Sequence, residues 1–434
     1  MQKISQLNSA TTIGKDDLYA IVQGGETKKV TDSSVSFKEL RMRGDMIINN
    51  AKLASIEGQL GTHDCQILVR KPASVLIAVI LYRTQSTYHV VGRNANTGAI
   101  IYSSTVVSTV GWAPRMYPIA DDTVRIVYTK SKTAVYYKDL TVSTGDLSAE
   151  SNFQVQIKDP EGDYEAAEQL TVDCFLEHCA NVSGIDYRDA AYDTFTDRNI
   201  LVEDTQHLQQ IGSDYYLTAE VLADSTPFSE AGAVACLMKS TDLTTWQLLG
   251  PVFISTTINN QRDHEISATY LVDTWYGLSR YNTQNFGTSG YRFYKSADGE
   301  TWTDQGHFCA LPQAMKGLRH GVVKHTLRYV APSGTDLNVT TVAGAFIIYQ
   351  RIPKVDTING ISDSHAARTE LGLVFTEDFE AFTEVAHISD RRGIHYPSIC
   401  IYQDVLYMAW TSNYLLDTGY INSIVYSSYN LSKI

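Results

Sequence analysis

The sequence of 434 residues lacks the features that define several classes of protein. Its longest apolar run, Val75 to Tyr82, has eight residues, which is too short to span a bilayer and suits a buried strand. The first residues contain no apolar segment of the kind that directs secretion. Positive charge is also scarce, since 35 Lys and Arg stand against 48 Asp and Glu, for a net charge of −13. We therefore expect neither membrane insertion nor general binding to nucleic acid, which needs a basic face.

The cysteines form no disulfide framework, which predicts reduced thiols and synthesis in a cytosol. The six are scattered along the chain: Cys65, Cys174, Cys179, Cys236, Cys309 and Cys400. Cys174, His178 and Cys179 lack a second ligand pair at the spacing of a zinc site. The alternating carboxylates of Asp159 to Glu165 match a solvated acidic loop better than a calcium loop. We predict no metal and no cofactor.

What the sequence does contain is a long series of short segments in which apolar and polar residues alternate, from about Gly61 to Ile434. Such segments predict half-buried β-strands. A pattern of Ser, Asp, Thr and Trp occurs in full at Ser296–Trp302 and in weaker form at Ser240–Trp246 and Phe375–Phe382. In the full copy, Asp298 can accept hydrogen bonds across a hairpin turn while the tryptophan packs inward.

Ser296–Trp302 resembles the Asp box of sialidase-like β-propellers, and this resemblance implies blades of four antiparallel strands. Recurrence at a period of about 50 residues is typical of a propeller. The sequence therefore predicts an all-β fold in which residues 61–434 form about six blades, with five blades as the alternative. The acidic segment from about 159 to 199 interrupts the strand pattern and is predicted to be an insertion.

Residues 1–45 are smaller and more polar than the rest of the chain. Ile4-Ser-Gln-Leu7 and Val22-Gln-Gly-Gly-Glu-Thr-Lys-Lys-Val-Thr31 resemble the N-terminal leader of tail fibres and tailspikes of tailed phages. The resemblance implies that residues 1–45 attach the protein to other virion tail proteins, that residues 46–60 are a linker, and that the protein is made in the host cytoplasm. An ordinary β-hairpin with a Gly-Gly turn is the alternative.

The order of several polar residues also resembles that of sialidases. In that family three arginines bind the carboxylate of the sugar, a Tyr activated by a Glu is the nucleophile, and an Asp is the acid/base. The substrate-binding residues that the resemblance implies are Arg115, Arg280 and Arg368, and His264, beside Glu265, is a further candidate for binding a substrate hydroxyl. The catalytic residues that it implies are Tyr396, Glu265 and Asp139.

Three functions remain open at this stage. The predicted one is a phage receptor-binding protein of the virion tail, whose propeller recognises a host surface glycan. The first alternative is a depolymerase or sialidase-like hydrolase that uses the residues above. The second is a different glycosidase in which Asp263 or Glu265 and an earlier Asp form a pair of carboxylates. The sequence leaves the glycan, the host and homo-oligomerisation open.

Overall fold

The computed structural model describes most of the chain after residue 61 and one short hairpin before it. The described residues are 18–23, 26–31, 62–84, 87–108, 114–186, 198–202, 208–223, 233–255, 263–281, 290–307, 321–333, 336–351, 370–389, 394–416 and 419–430. The hairpin consists of β1 (Leu18–Gln23) and β2 (Glu26–Thr31), which pair antiparallel across Gly24-Gly25 as a sheet of their own. The predicted linker, residues 46–60, lies outside the described residues.

The first two sheets have four strands each, and strands that are adjacent in sequence pair antiparallel. Blade 1 consists of β3 (Thr62–Arg70), β4 (Ile77–Thr84), β5 (Thr87–Asn94) and β6 (Ile100–Val107). Blade 2 consists of β7 (Arg115–Ala120), β8 (Thr123–Lys130), β9 (Ala134–Thr141) and β10 (Ser151–Asn152). The long apolar run of the sequence forms β4, which is buried over nearly its whole length, because neighbouring sheets cover both of its faces.

Blade 3 is larger and contains the helix of the described chain. Its elements are β11 (Gln154–Gln156), β12 (Glu168–Gln169), α1 (Val172–Ser183), β13 (Arg198–Val202), β14 (Gln209–Ile211), β15 (Asp214–Ala223), β16 (Ala233–Ser240) and β17 (Thr245–Ser255). The sheet order runs from β13 through β15, β16 and β17 to β11 and β12. Strands β11 and β12, which precede the other strands of this blade in the chain, thus extend its outer edge.

Two further four-stranded blades and a three-stranded sheet follow. Blade 4 consists of β18 (Asp263–Leu271), β19 (Thr274–Tyr281), β20 (Gly290–Ser296) and β21 (Thr303–His307). Blade 5 consists of β22 (Gly321–Ser333), β23 (Asp336–Arg351), β24 (Glu370–Thr376) and β25 (Phe382–Ser389). The closing sheet consists of β26 (Ile394–Tyr402), β27 (Val405–Leu416) and β28 (Gly419–Asn430).

These sheets form a ring, which makes the body a β-propeller. Contacts link β3 to β7, β8 to β13, β15 to β18, β18 to β22, β22 to β26, and β26 back to β3. At the closure, Ser398 Oγ accepts a hydrogen bond of 3.0 Å from the Ile67 N–H. The all-β prediction is confirmed. Five blades have four or more strands, as the five-bladed alternative predicted, and the three-stranded sheet stands between blades 5 and 1.

The acidic insertion contains helix α1, which the sequence analysis had not predicted. Thr171 caps its start by accepting a hydrogen bond from the Cys174 N–H, and Gly184 ends it in the left-handed conformation. Its apolar face, which includes Phe175 and Cys179, packs into the core of blade 3. The helix is twelve residues long, and no described helix is long and apolar enough to cross a membrane.

His178 of α1 joins the helix to blade 3 and is not placed as a metal ligand. Its Nδ1 accepts a hydrogen bond of 3.1 Å from the Lys158 N–H. Nε2 therefore carries the proton, and it donates to the Leu249 carbonyl at 2.9 Å. Burial lowers the pKa of His178 to about 4, which keeps the ring neutral. Within the described part of the chain, no group of three or more His, Cys, Asp or Glu is placed to hold a metal ion.

Three hairpin turns share one hydrogen-bond pattern, and we call them the Asp turns: Ser240–Trp246, Ser296–Trp302 and Thr376–Phe382. In each, Oδ1 of the Asp accepts from the N–H groups two and three residues later, and the Ser or Thr hydroxyl accepts from the residue after the Asp. The residue after the Asp has positive φ: Leu243 (63°), Gly299 (79°) and Phe379 (59°). Glycine tolerates this conformation without strain, yet two of the three turns do without it.

These hydrogen bonds favour the charged form of each Asp. Burial alone would raise the pKa of Asp242, but the N–H groups of Thr245 and Thr244 outweigh it and lower this pKa to about 2. The N–H groups that follow Asp298 and Asp378 lower the pKa of those carboxyls as well. The turn that the sequence predicted at Ser296–Trp302 is thus formed by hydrogen bonds from backbone N–H groups, and Oδ1 of its carboxylate is engaged in them.

Each Asp turn also contacts the preceding blade. The Leu243 carbonyl accepts a hydrogen bond of 2.6 Å from Nη1 of Arg125 in blade 2. Glu300 forms an ion pair of 2.9 Å with Lys158, which follows β11 at the edge of blade 3. Phe379 stacks on Tyr276 of blade 4, with ring centroids 4.6 Å apart. The turns therefore join neighbouring blades at the outside of the ring.

Candidate functional site

Three innermost strands carry the same irregularity at the same place. In β3, β18 and β26, the antiparallel register shifts by one residue just after the second residue of the strand. The shift separates His63 from Gln66, His264 from Ser267 and His395 from Ser398. Across the shift the innermost strand advances by three residues while its neighbour advances by two. The innermost strand therefore has one extra residue, which makes the irregularity a β-bulge. Since innermost strands of a propeller run alongside one another, the three bulges lie at one end of the central channel.

The bulges of blade 4 and the closing sheet each contain a residue that was predicted to be catalytic. Glu265 has φ of 55° and Tyr396 has φ of 47°, and both side chains are partly exposed. The left-handed conformation costs a residue with a Cβ roughly 1–2 kcal/mol. Such strain is typical of sites where a side chain must be held in a particular direction.

Buried side chains of the neighbouring blades hold both strained backbones. Oε2 of Glu220, a fully buried residue of β15 in blade 3, accepts from the Glu265 N–H at 2.8 Å. The Cys65 thiol in blade 1 donates to the Tyr396 carbonyl at 3.3 Å. A hydrogen bond to a carboxylate contributes roughly 1.5–3 kcal/mol, which is enough to offset the strain at Glu265. The two bulges are thus fixed parts of the fold.

The structure places Arg115 in the same region as the bulges. Arg115 is the first residue of β7, the innermost strand of blade 2, and its Nη1 donates to the Pro114 carbonyl at 2.9 Å. It is almost fully buried, with 4% of its surface exposed. Arg115 therefore begins an innermost strand, and its role in binding a sugar carboxylate stays a prediction.

Asp139 lies elsewhere. It is on β9, the third strand of blade 2, and its carboxylate forms a two-pronged pair with Arg125, at 2.8 Å from Nε and 3.0 Å from Nη2. The same guanidinium lies over the ring of Tyr137, 3.8 Å from its centroid. This carboxylate therefore holds Arg125 toward the Asp turn of blade 3. Asp139 itself is two strands away from the innermost strand of blade 2. We leave Asp139 out of the candidate site.

The remaining predicted residues are described only in part. Arg280 lies on β19 opposite His264 of β18 in the antiparallel register, so both backbones are next to the bulge of blade 4, while their side chains lie outside the described part. Arg368 lies outside the described residues altogether.

Register reveals two residues that the sequence analysis missed. Arg83 lies opposite His63 in blade 1, as Arg280 lies opposite His264 in blade 4. Asp64 follows His63, in the place that Glu265 and Tyr396 take after their histidines. The sequence pattern that could have indicated both is His, then Asp, Glu or Tyr, then any residue, then Gln or Ser: it occurs at residues 63–66, 264–267 and 395–398.

Solved structures of low sequence identity share this architecture. Trypanosoma rangeli sialidase in complex with sialic acid matches with a TM-score of 0.50 at 12% identity, covering 95% of this chain and 57% of that chain. The same sialidase as a covalent intermediate with 2,3-difluorosialic acid matches with 0.51 at 12%, covering 86% and 55%. A protein of unknown function from Dyadobacter fermentans matches with 0.51 at 11%, covering 86% and 99%. No protein-family model matches the chain, and no curated protein matches it in sequence.

The chain therefore has a sialidase-like β-propeller fold. It spans a little over half the length of the sialidase chains and nearly the full length of the Dyadobacter fermentans protein. At these identities the similarity concerns the fold alone.

Proposed function

We propose that this chain is a glycan-binding β-propeller whose site lies around the three bulges at one end of the central channel. The repeated bulge is the observation that carries the proposal. It brings a His and an Asp, Glu or Tyr from three different strands to the same end, and Arg115 begins a fourth innermost strand there. Polar groups that converge on a channel mouth are what recognition of a sugar requires.

A glycan-array screen with acidic and neutral glycans tests this proposal. We expect the intact protein to bind a defined glycan class, and Glu265→Gln to weaken that binding by about ten-fold or more. Asp304→Asn, on the exposed outermost strand of the same blade, is the matched control and should bind as the wild type does. Folded wild-type protein that binds no glycan, or equal binding by both variants, would contradict the proposal.

Hydrolysis of the bound glycan is the second candidate, and the strained backbones of Glu265 and Tyr396 favour it. In that version Glu265 takes the proton of the Tyr396 hydroxyl as the phenolic oxygen attacks the anomeric carbon, and the aglycone leaves with a proton from an acid. Asp64 occupies the equivalent bulge position in blade 1 and replaces Asp139 as that acid. Water then releases the sugar, with Asp64 as base, while Arg115, Arg280 and Arg368 bind a sugar carboxylate.

We propose in addition that residues 1–45 attach the protein to a phage tail, where the propeller meets the host surface glycan. The support is the leader-like sequence, because the pairing of β1 and β2 as a sheet of their own is also what an ordinary β-hairpin gives. Deleting residues 1–45 is expected to leave a folded propeller with unchanged thermal unfolding that no longer enters virions. Circular dichroism and incorporation into particles measure the two effects. An unfolded deletion variant, or one that still assembles, would argue against attachment through this segment.

A further inference from the structure

We propose that Glu220 is a positioning residue that sets the conformation of the Glu265 bulge and thereby the geometry of the glycan site. Its consequence for binding rests on the proposed function, whereas its effect on the backbone does not. Glu220 is in the second strand of blade 3, forty-five residues away in sequence, and its Oε2 contacts the site at the Glu265 N–H.

Several neighbours of Glu220 on its face of blade 3 are apolar. It lies opposite Leu201 in the register of β13 and β15, on the face that packs against blade 4. Leu201 and Leu222 of that face form one cluster with Ile266, the residue after Glu265. A fully buried carboxyl group is unfavourable in such a seam unless its hydrogen bonds repay the lost solvation. Packing alone therefore gives no reason for a glutamate at this position.

Two hydrogen bonds from this face end on the backbone of the bulge, one at Glu265 and one at Ile266. Glu220 accepts from the Glu265 N–H, and the Thr218 hydroxyl donates to the Ile266 carbonyl at 3.5 Å. A bulge removes its extra residue from the regular ladder, so the backbone groups there need other partners. Blade 3 supplies them. Without the carboxylate, the Glu265 N–H loses this partner and the left-handed conformation loses the support of this hydrogen bond, which turns the Glu265 side chain away from its present direction.

Two substitutions separate this role from simple packing. Glu220→Gln keeps an acceptor oxygen, whereas Glu220→Leu fills the space without one. We expect amide hydrogen exchange in residues 263–271 to rise about ten-fold or more in Glu220→Leu and to stay within about three-fold of wild type in Glu220→Gln. Exchange in residues 394–402, which carry the Tyr396 bulge, should not change in either variant. Glycan affinity should follow the same order.

Asn199→Leu is the matched control, because Asn199 is fully buried on the same face, two residues from Leu201, and neither of its amide atoms has a hydrogen-bond partner among the described residues. It should leave exchange in residues 263–271 unaltered. If Glu220→Leu does not fold, Glu220→Asp, which keeps the charge but shortens its reach, takes its place with the same expected result. Equal effects of the glutamine and leucine variants, or unchanged exchange in a folded leucine or aspartate variant, would overturn the proposal. A wild-type protein without glycan affinity would refute the proposed function. The exchange measurements would still decide whether Glu220 sets the conformation of the Glu265 bulge.

Discussion

Under the hydrolase proposal, Tyr396→Phe is expected to lower kcat for glycan cleavage by about 10³-fold or more, while affinity changes by less than about three-fold. The substitution removes one hydroxyl and keeps the ring. The bulge remains in place because the Cys65 thiol binds the Tyr396 carbonyl and not its side chain. Product analysis on the glycan identified by the array, together with a binding isotherm for each variant, measures the two effects separately.

Tyr402→Phe is the control for this experiment. Tyr402 lies at the far end of the same strand and packs against the core shared with blade 1, so the loss of its hydroxyl should change neither rate nor affinity. If Tyr396→Phe turned over glycan at the wild-type rate, Tyr396 would not be the nucleophile. If the wild type bound glycan and released no product, the protein would be a glycan-binding propeller without hydrolase activity.

Trp246→Ala is expected to cause the largest loss of stability, roughly 3–5 kcal/mol in the free energy of unfolding. Trp246 is fully buried and stacks on Phe153 with ring centroids 5.9 Å apart, and the edge of Tyr117 from blade 2 packs against it at the same distance. Removing the indole leaves a cavity between two blades that the surrounding strands cannot close. Denaturant unfolding, followed by fluorescence and circular dichroism, measures the change in free energy.

Trp302→Ala provides the comparison. The sequence predicts that Trp302 packs inward, but Trp302 is only half-buried, and its indole N–H donates to the Gly299 carbonyl of its own turn at 3.0 Å. Its removal should cost clearly less than that of Trp246. If Trp302→Ala lowered the free energy of unfolding as much as Trp246→Ala or more, burial of the tryptophan would not determine how much each turn contributes to stability.

The fold was largely predictable from the sequence because its pattern is local. Alternation of apolar and polar residues indicates strands, and the spacing of Ser240 and Ser296 indicates a repeat. Helix α1 was not predicted although Thr171 and Gly184 are suitable caps, because the alternating acidic residues before it are typical of a solvated loop. The number of blades was harder to predict because blade 3 takes its outer strands, β11 and β12, from earlier in the chain.

The candidate site was predictable only in part. The order of Glu265 and Tyr396 along the chain led to both residues, but the bulges depend on how strands pair, which no single strand reveals. Arg83 and Asp64 become visible only when the registers of blades 1 and 4 are compared. Asp139 was chosen by its place in the sequence, and its engagement by Arg125 requires β8 and β9 to be paired.

The Asp turns affect how long the folded protein persists. The turns of blades 3, 4 and 5 each contact the preceding blade. Separating one of these blades from its neighbour therefore also breaks the contact that its turn makes. We therefore expect unfolding to require the loss of several of these contacts together, with a rate set by that barrier more than by the stability of one sheet. Exposure to proteases and to irreversible aggregation is accordingly governed by the opening of the ring as a whole.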